Sequence, residues 1–394
     1  MRHVAIVGAS LAGVSAAEGL RTRGYQGRIT LIDAESRAPY DKPPLSKGAL
    51  AGDVELHATA LRPPEWYVEN AVDLRLGTRV TGLDDSARQL RTQAGEAIEY
   101  DGLVVATGAT ARRLRGCCAQ PELLHMLRSV DDASRLRGAL RPGRHLVVVG
   151  GGFIGLEAAA TARGLGVEVT VVETAPTLLS RAFPATVGHW FADLHQRNGV
   201  RVICGTAVEE ITVGRCGYKV RLAEETLSAD VVLTGIGAAP AIDWLSGSGV
   251  ELGNGVRCAP DLSTGVPGVV AAGDVAHWYN EALGESMRVE HWTNAVEQGR
   301  HAVGTLLGDR EAYRAVPYFW TDQHDAKVRF VGRAAATDDV AIGRPKDGSL
   351  IALFGRNGVL RGAACINAAR ELGTFRAAID DRVAWHDAVS TLPT

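Results

Sequence analysis

The sequence predicts an α/β chain: two doubly wound parallel-sheet units followed by a smaller C-terminal α+β domain. Three observations carry this. A buried-strand pattern that turns through small residues into a helix occurs twice, as HVAIVGASLAG from His3 to Gly13 and as VVVGGGFIGLE from Val147 to Glu157. Three further apolar runs end in glycine turns: YDGLVVATGA (100–109), ADVVLTGIGAAP (229–240) and VPGVVAAGDVA (266–276). From Tyr318 onward the character changes to short strands without intervening helices. Strands that alternate with helices imply parallel sheets covered on both faces.

Taken in order, Val4–Val7 is a β-branched run, VSAAEGLRTRG is helical, and RITLID is a strand ending at Asp33. That is one β-α-β unit. APYDKPPLSKG (38–48) is an irregular, proline-rigid loop carrying Lys42 and Lys47; alone it reads equally well as a solvated surface loop. HLVVVGGGFIGLEAAATARGLGVEVTVVE (145–173) repeats the order strand, glycine turn, helix, strand. In the tail, KVRFVG, SLIALFGRNG and LRGAACI read as strands of a meander, with Asn357–Gly358 as a hairpin turn and a last helix between Ala369 and Ile379. The expected division is 1–110 with 240–317, then 111–239, then 318–394.

Composition bounds the function classes. Of 394 residues 46% are apolar and 22% charged, with a formal charge of −3, which is ordinary for a soluble globular protein and favours neither nucleic acid nor an anionic membrane. The apolar start is broken by glycines and reads as a first strand rather than a signal peptide. No uncharged apolar run of about 20 residues is present, so no membrane span is expected. The six cysteines (Cys117, Cys118, Cys204, Cys216, Cys258 and Cys365) include no C-x-x-C pair. That argues against a zinc site or dithiol motif and for reduced thiols in a cytoplasmic protein. No metal is expected.

The two glycine turns carry the chemistry. The first glycine of such a turn permits the tight bend, the second lets backbone approach a pyrophosphate, and the third lets helix pack on strand; the helix N-terminus then offers free N–H groups to the anion. An acid at the end of the second strand takes the ribose hydroxyls. The second unit has Gly150, Gly152, Gly155 and the acid Glu173; the first has Gly8, Ser10 and Gly13, with Asp33 or Glu35 as the acid. Glu173 repels a 2′-phosphate and no arginine follows it directly, which favours NADH over NADPH, although Arg181 lies further on and is able to bind a phosphate. Two turns of this kind imply two dinucleotides, and a common pairing is a flavin in one and a nicotinamide in the other. Ala106, Thr107 and Gly108 form a small-residue turn of the sort that passes close to a cofactor. Gly273–Asp274 follows a strand and precedes an expected helix, placing a carboxylate for the sugar-alcohol chain of FAD.

PYDKPPLSK, VGGGFIGLE, AAGDVA, EHWTNAVEQG and PYFWTDQ together make the chain resemble, over almost its whole length, the FAD-dependent NADH:ferredoxin reductases that serve oxygenases. The resemblance implies a glutathione-reductase-like architecture and FAD and NADH as cofactors. It assigns FAD to the turn Gly8, Ser10, Leu11, Ala12 and Gly13, to Asp33 or Glu35, and to Lys42, Lys47, Val80, Arg128, Gly273, Asp274, Glu290, His291 and Trp292. Lys42 stands where the family has arginine, which loses the planar fork for phosphate. NAD falls to Gly150, Gly152, Phe153, Ile154, Gly155, Glu157, Glu173, Arg181, Gly235, Ile236 and Gly237. Lys47, Glu157 and Trp320 carry the catalytic roles, Lys47 and Glu157 as a pair beside the flavin and Trp320, with Trp292, at its edge.

Hydride transfer between stacked rings needs geometry and dryness rather than a protein acid or base. The implied partner is a [2Fe–2S] ferredoxin feeding a cytochrome P450 or Rieske oxygenase, with Lys327, Arg329 and Arg333 as a candidate basic docking face for an acidic partner. Competing readings are an NADH oxidase or disulfide reductase, and a slow NADH-binding signalling flavoprotein like apoptosis-inducing factor. The first two place a redox cysteine near position 42 or in the nicotinamide domain, and this chain has none near that position. The third favours a targeting segment and basic insertions, and neither is visible.

Overall fold

β1 (His3–Val7), α1 (Leu11–Thr22) and β2 (Arg28–Ile32) open the chain as the sequence pattern requires in the computed structural model, which describes residues 1–55, 59–114, 116–215, 217–345 and 349–393. Cys216 lies outside the described residues. Two units are distinguished by their internal contacts: Met1–Asp41, Thr59–Thr110 and Ala239–Tyr318 form one, and Lys42–Ala58, Ala111–Ala238 and Phe319–Thr394 the other.

The first unit is built on a five-stranded parallel sheet in the order Val269–Ala271, Gly102–Val105, β1, β2, Val72–Arg75. Apart from His3, Arg28 and Thr30 its three inner strands are buried apolar runs, as cover on both faces demands, while the edge strand Val72–Arg75 carries the half-buried Asp73 and Arg75. The helix Trp292–Leu307 packs against α1 so closely that a Cβ at Gly299 would lie 2.4 Å from Ala12 O, and one at Gly19 2.9 Å from Val303. A second core forms where the antiparallel strands Val80–Asp84, Gln89–Thr92 and Ala97–Glu99 bring Leu83, Leu90 and Ile98 against Leu103 and Val269.

The second unit repeats the plan with a four-stranded parallel sheet, Val200–Cys204, Glu168–Glu173, His145–Val149 and Val231–Thr234. The helix Phe153–Gly164 joins His145–Val149 to Glu168–Glu173. The tail contributes a five-stranded sheet in the order Tyr318–Gln323, Ala326–Gly332, Val359–Ile366, Leu350–Arg356, Asp339–Gly343. Asn357 and Gly358 both take positive φ (54° and 74°) in the hairpin turn between Leu350–Arg356 and Val359–Ile366, the geometry for which Asn-Gly is selected. The helix Leu372–Asp380 follows. Phe330 and Phe354 of the tail share one core with Phe183 and Phe191, with ring centroids of Phe183 5.4 and 5.5 Å from Phe330 and Phe354. Among the described residues no helix is long and apolar enough to cross a membrane.

One expectation is corrected. Asp274 is followed by a single 3-10 turn, Gly273–Val275, and then by a strand, Ala276–Asn280, rather than by a helix. Ala276, Trp278 and Asn280 alternate into the interior, and the strand pairs with Glu285–Arg288. That period-2 burial overrides the helical reading. The helix begins only at Trp292.

Candidate functional site

Each unit carries one glycine turn, and the two are built alike. Gly8 takes φ +103° and Gly150 φ +111°, which L side chains rarely adopt. A Cβ at Gly8 would lie 2.2 Å from Ala106 O, and one at Gly150 2.5 Å from Gly235 O, so a neighbouring strand end crowds each turn. A Cβ at Gly13 would meet Gly8 O at 1.8 Å, and one at Gly155 would meet Gly150 O at 2.6 Å, which forces glycine where each helix folds back on its turn. Neither helix has a side-chain cap: Ser10 and Gly152 enter from extended backbone, leaving the first-turn N–H groups, from Leu11 and Ala12 in one and Phe153 and Ile154 in the other, open to an external acceptor. The Ile154 side chain is exposed there.

The acids are locked in the same way. Asp33 Oδ2 accepts from Ala9 N–H at 2.6 Å and Oδ1 from Glu35 N–H at 2.8 Å. Glu173 Oε2 accepts from Gly151 N–H at 2.6 Å and Oε1 from Ala175 N–H at 2.8 Å. Asp33 is therefore the structural counterpart of Glu173, while Glu35 stands at the place of Ala175 and accepts from Tyr40 Oη at 2.6 Å. Gly152 offers a test of whether these residues fit a dinucleotide. A Cβ there would have no protein atom nearer than Gly235 O at 3.8 Å, so the protein does not require glycine at this position. The space it leaves lies over the uncapped helix end, where a pyrophosphate needs close backbone approach. The serine at position 10 of the first turn is compatible with the same openness.

Of the other residues expected around the first turn, Val80, Ala106–Gly108, Gly273, Asp274, Glu290, His291 and Trp292 lie in the same unit, whereas Lys42, Lys47 and Arg128 belong to the second unit. Thr107 Oγ1 donates to Ala241 O at 2.8 Å, fixing the Ala106–Gly108 turn, and Val80 is buried at the head of its strand. Gly273 takes φ +78° and donates its N–H to the buried Gln298 Oε1 at 2.9 Å. Arg288 holds this corner, donating to Asp274 O at 2.8 Å and pairing with Glu290 at 2.6 Å. His291 precedes the Trp292–Leu307 helix as its N-cap, and Trp292 Nε1 donates to Asp41 Oδ1 at 2.7 Å.

Around the second turn a buried cluster forms. Glu157, on the glycine-turn helix, is buried; its Oε2 lies 2.6 Å from Lys47 Nζ and accepts from Ser46 Oγ at 2.5 Å, while Oε1 accepts from Thr321 Oγ1 at 2.7 Å. Lys42 precedes the short Pro43–Ser46 turn that aims Lys47. Thr161 Oγ1, one turn along from Glu157, donates to Ser46 O at 2.7 Å and ties that turn to the helix. Arg181 donates to Ile236 O at 3.4 Å, beside Gly237. Arg128 N–H lies 3.3 Å from Asp132 Oδ2, next to the capping box that Ser129 and Asp132 make on the Val130–Ala139 helix. Trp320 sits half-buried between Phe319 and Thr321. Of the basic residues in the tail, Lys327 is exposed while Arg329 pairs with Asp322 at 2.7 Å.

Ser46, Thr321, Gln323 and His195 escaped sequence reasoning. The usable signal was in YFWTDQ: Thr321 and Gln323 share one face of a strand whose sheet is otherwise packed with apolar side chains. Burial pushes the thiols of Cys258 and Cys365 up to about 12 and raises those of Cys117 and Cys204.

Comparison with known proteins agrees with this geometry. Residues 2–299 match the pyridine nucleotide-disulphide oxidoreductase model, and residues 318–391 the reductase C-terminal model. The chain is 37% identical over 374 residues to the ferredoxin–NAD(+) reductase component of the anthranilate 1,2-dioxygenase system of Burkholderia cepacia, covering 94% of this chain and 92% of the relative. It is 36% identical to the corresponding component of the biphenyl dioxygenase system of Paraburkholderia xenovorans, covering 96% and 93%. Putidaredoxin reductase in its covalent complex with putidaredoxin superposes with a TM-score of 0.92 at 31% identity, covering 97% of this chain and 94% of that one. The chain belongs to the pyridine nucleotide-disulphide oxidoreductase family, among the ferredoxin–NAD(+) reductases of oxygenase systems.

Proposed function

We propose that the protein is a cytoplasmic FAD-dependent NADH:ferredoxin oxidoreductase, passing electrons from NADH to a [2Fe–2S] ferredoxin that feeds an oxygenase of the cytochrome P450 or Rieske type. The observation that carries this is the duplicated, acid-locked glycine turn, with the Lys47–Glu157 pair set one helical turn beyond the second copy. In this reading FAD is held by the Gly8–Gly13 turn, Asp33 or Glu35, Ala106–Gly108 and Gly273–Asp274, and NADH by the Gly150–Gly155 turn and Glu173. The bound flavin supplies the conversion of a two-electron hydride donor into two single electrons, which an iron–sulfur acceptor requires.

The chain's own residues bind, orient and exclude water. The uncapped helix ends take the pyrophosphates. The pinned Glu173 carboxylate presents to the ribose and disfavours a 2′-phosphate. Glu157, held by Ser46, Thr321 and Lys47, offers a fixed acceptor to the carboxamide of a nicotinamide, and Lys47 brings a compensated positive charge. A pair already held in place, with Glu157 buried, costs no reorganisation when a nicotinamide binds.

The test is direct. Purified protein carries a yellow flavin spectrum, bleaches within the stopped-flow dead time to seconds with NADH and far more slowly with NADPH, and reduces cytochrome c rapidly only when a [2Fe–2S] ferredoxin is added. Protein that stays colourless after soaking in FAD would refute the reading. The docking face is tested separately: Lys327→Glu with Arg333→Glu raises the ferredoxin KM and flattens its salt dependence while leaving ferricyanide reduction by NADH unchanged.

A further inference from the structure

Beyond Glu157 the hydrogen bonds do not stop. Thr321 Oγ1, which donates to Glu157 Oε1 at 2.7 Å, lies 3.0 Å from Gln323 Nε2. Gln323 Oε1 lies 2.9 Å from His195 Nε2, and His195 Nδ1 lies 3.2 Å from Nε2 of the half-buried His324. Glu157, Thr321, Gln323 and His195 are all buried, Gln323 and His195 completely.

The chemistry of one end dictates the direction of all the rest. A carboxylate only accepts, so Thr321 must donate to it. The Thr321 oxygen then turns a lone pair to Gln323, which must present its NH2. Gln323 Oε1 therefore faces His195 Nε2, and that nitrogen must carry the proton. His195 Nδ1 is left as an acceptor, and His324 must donate through Nε2. The charged groups around the outer end are Asp325, Arg163 and Arg197, which face His324.

We propose that Thr321, Gln323 and His195 are positioning residues for Glu157: a single-file chain of donors that runs from His324 and fixes the orientation of the carboxylate offered to the nicotinamide. The functional half of this rests on the reading of Glu157 given above; the polarity of the chain does not.

The polarity makes a prediction at a distance. In Glu157→Gln, the Lys47 and Ser46 donors, which share Oε2, claim the new amide oxygen. The amide NH2 then points at Thr321. Thr321 turns its hydroxyl to Gln323, Gln323 flips, and the His195 proton moves from Nε2 to Nδ1. Side chains that merely pack would not transmit this.

The experiment uses FAD-loaded protein with 15N-labelled histidine, reading the His195 tautomer from its ring-nitrogen shifts at neutral pH, together with the rate of flavin reduction by NADH. The wild type shows the proton on Nε2, and Glu157→Gln shifts it to Nδ1. Thr321→Val, which keeps shape but removes the donor, relaxes the tautomer preference and slows reduction about tenfold, the scale of one hydrogen bond to a charged acceptor. Thr321→Ser restores both. A wild-type proton on Nδ1, or a His195 tautomer indifferent to both Glu157→Gln and Thr321→Val, overturns the proposal. A tautomer that responds while the reduction rate does not would confirm the chain and refute the assignment of Glu157 to the nicotinamide.

Discussion

In the proposed reading Glu173 serves both fold and specificity. Its carboxylate closes the second glycine turn through Gly151 and Ala175 N–H groups, and the same carboxylate is proposed to take the ribose. Glu173→Ala therefore removes the repulsion of a 2′-phosphate but also loosens the turn. The expected result is a rise in KM for NADH of roughly tenfold with a much smaller change for NADPH, so that the ratio of kcat/KM values moves toward NADPH. Equal losses for both nucleotides would show that only the turn had suffered. His195 makes a different claim at the same scale. Burial, opposed by the Gln323 hydrogen bond and aided by His324, lowers its pKa from 6.5 to about 4. A histidine depressed in the folded state binds a proton more readily when unfolded, so stability rises with pH across this window. It is fully present above pH 6.5 and declines as pH falls toward 4, by at most about 3 kcal/mol from this residue. His3, His125 and His324, also lowered chiefly by burial, act in the same direction. Denaturant unfolding at pH 7 and pH 4.5 should show a smaller difference for His195→Gln than for the wild type.

At the scale of elements, glycines with the same sequence label do different work. Gly13 is demanded by the protein itself, since a Cβ would overlap Gly8 O. Gly152 is not. Gly13→Ala is expected to lower the melting temperature and yield protein poor in FAD. Gly152→Ala should leave the melting temperature and the flavin spectrum intact and raise the KM for NADH. A Gly152→Ala protein that unfolds as early as Gly13→Ala would remove the argument that its space belongs to a ligand. Both turns, Glu173 and the parallel strands were legible in the sequence, because β-branched runs, glycines and carboxylates at fixed spacing leave a local trace, while the first acid was narrowed only to Asp33 or Glu35. Lys47 and Glu157 were paired only through resemblance, since 110 residues separate them. The strand after Asp274 was missed because AHWYN buries Ala276 and Trp278 against partners distant in sequence. The polar chain through Thr321, Gln323 and His195 was illegible for the same reason. Each residue is ordinary in its own segment, and only the tertiary fold sets them in line.

For the molecule as a whole, the chain order forbids simple dissection. The first unit draws its sheet and helices from three segments, and residues 1–110 alone lack the edge strand Val269–Ala271 and the Trp292–Leu307 helix that covers α1. The tail is equally committed to the second unit. Phe330 and Phe354 meet Phe183, and Leu350, Ala352 and Val328 fill the same core as Phe191 and Leu194. Truncation after Tyr318 would strip that apolar surface bare and take Thr321 and Gln323 from the Glu157 network. The truncated protein is expected to bind a hydrophobic dye and to lose cooperative unfolding of the second unit. Phe354→Ala, which empties one position of the shared core, should cost about 3–5 kcal/mol in full-length protein. The decisive measurement is denaturant unfolding followed in parallel by flavin fluorescence and by Trp signal. If the tail were an independent domain, its removal would leave a soluble protein with an unchanged midpoint. If it completes the core, as the aromatic cluster requires, the midpoint falls or the transition broadens beyond recognition.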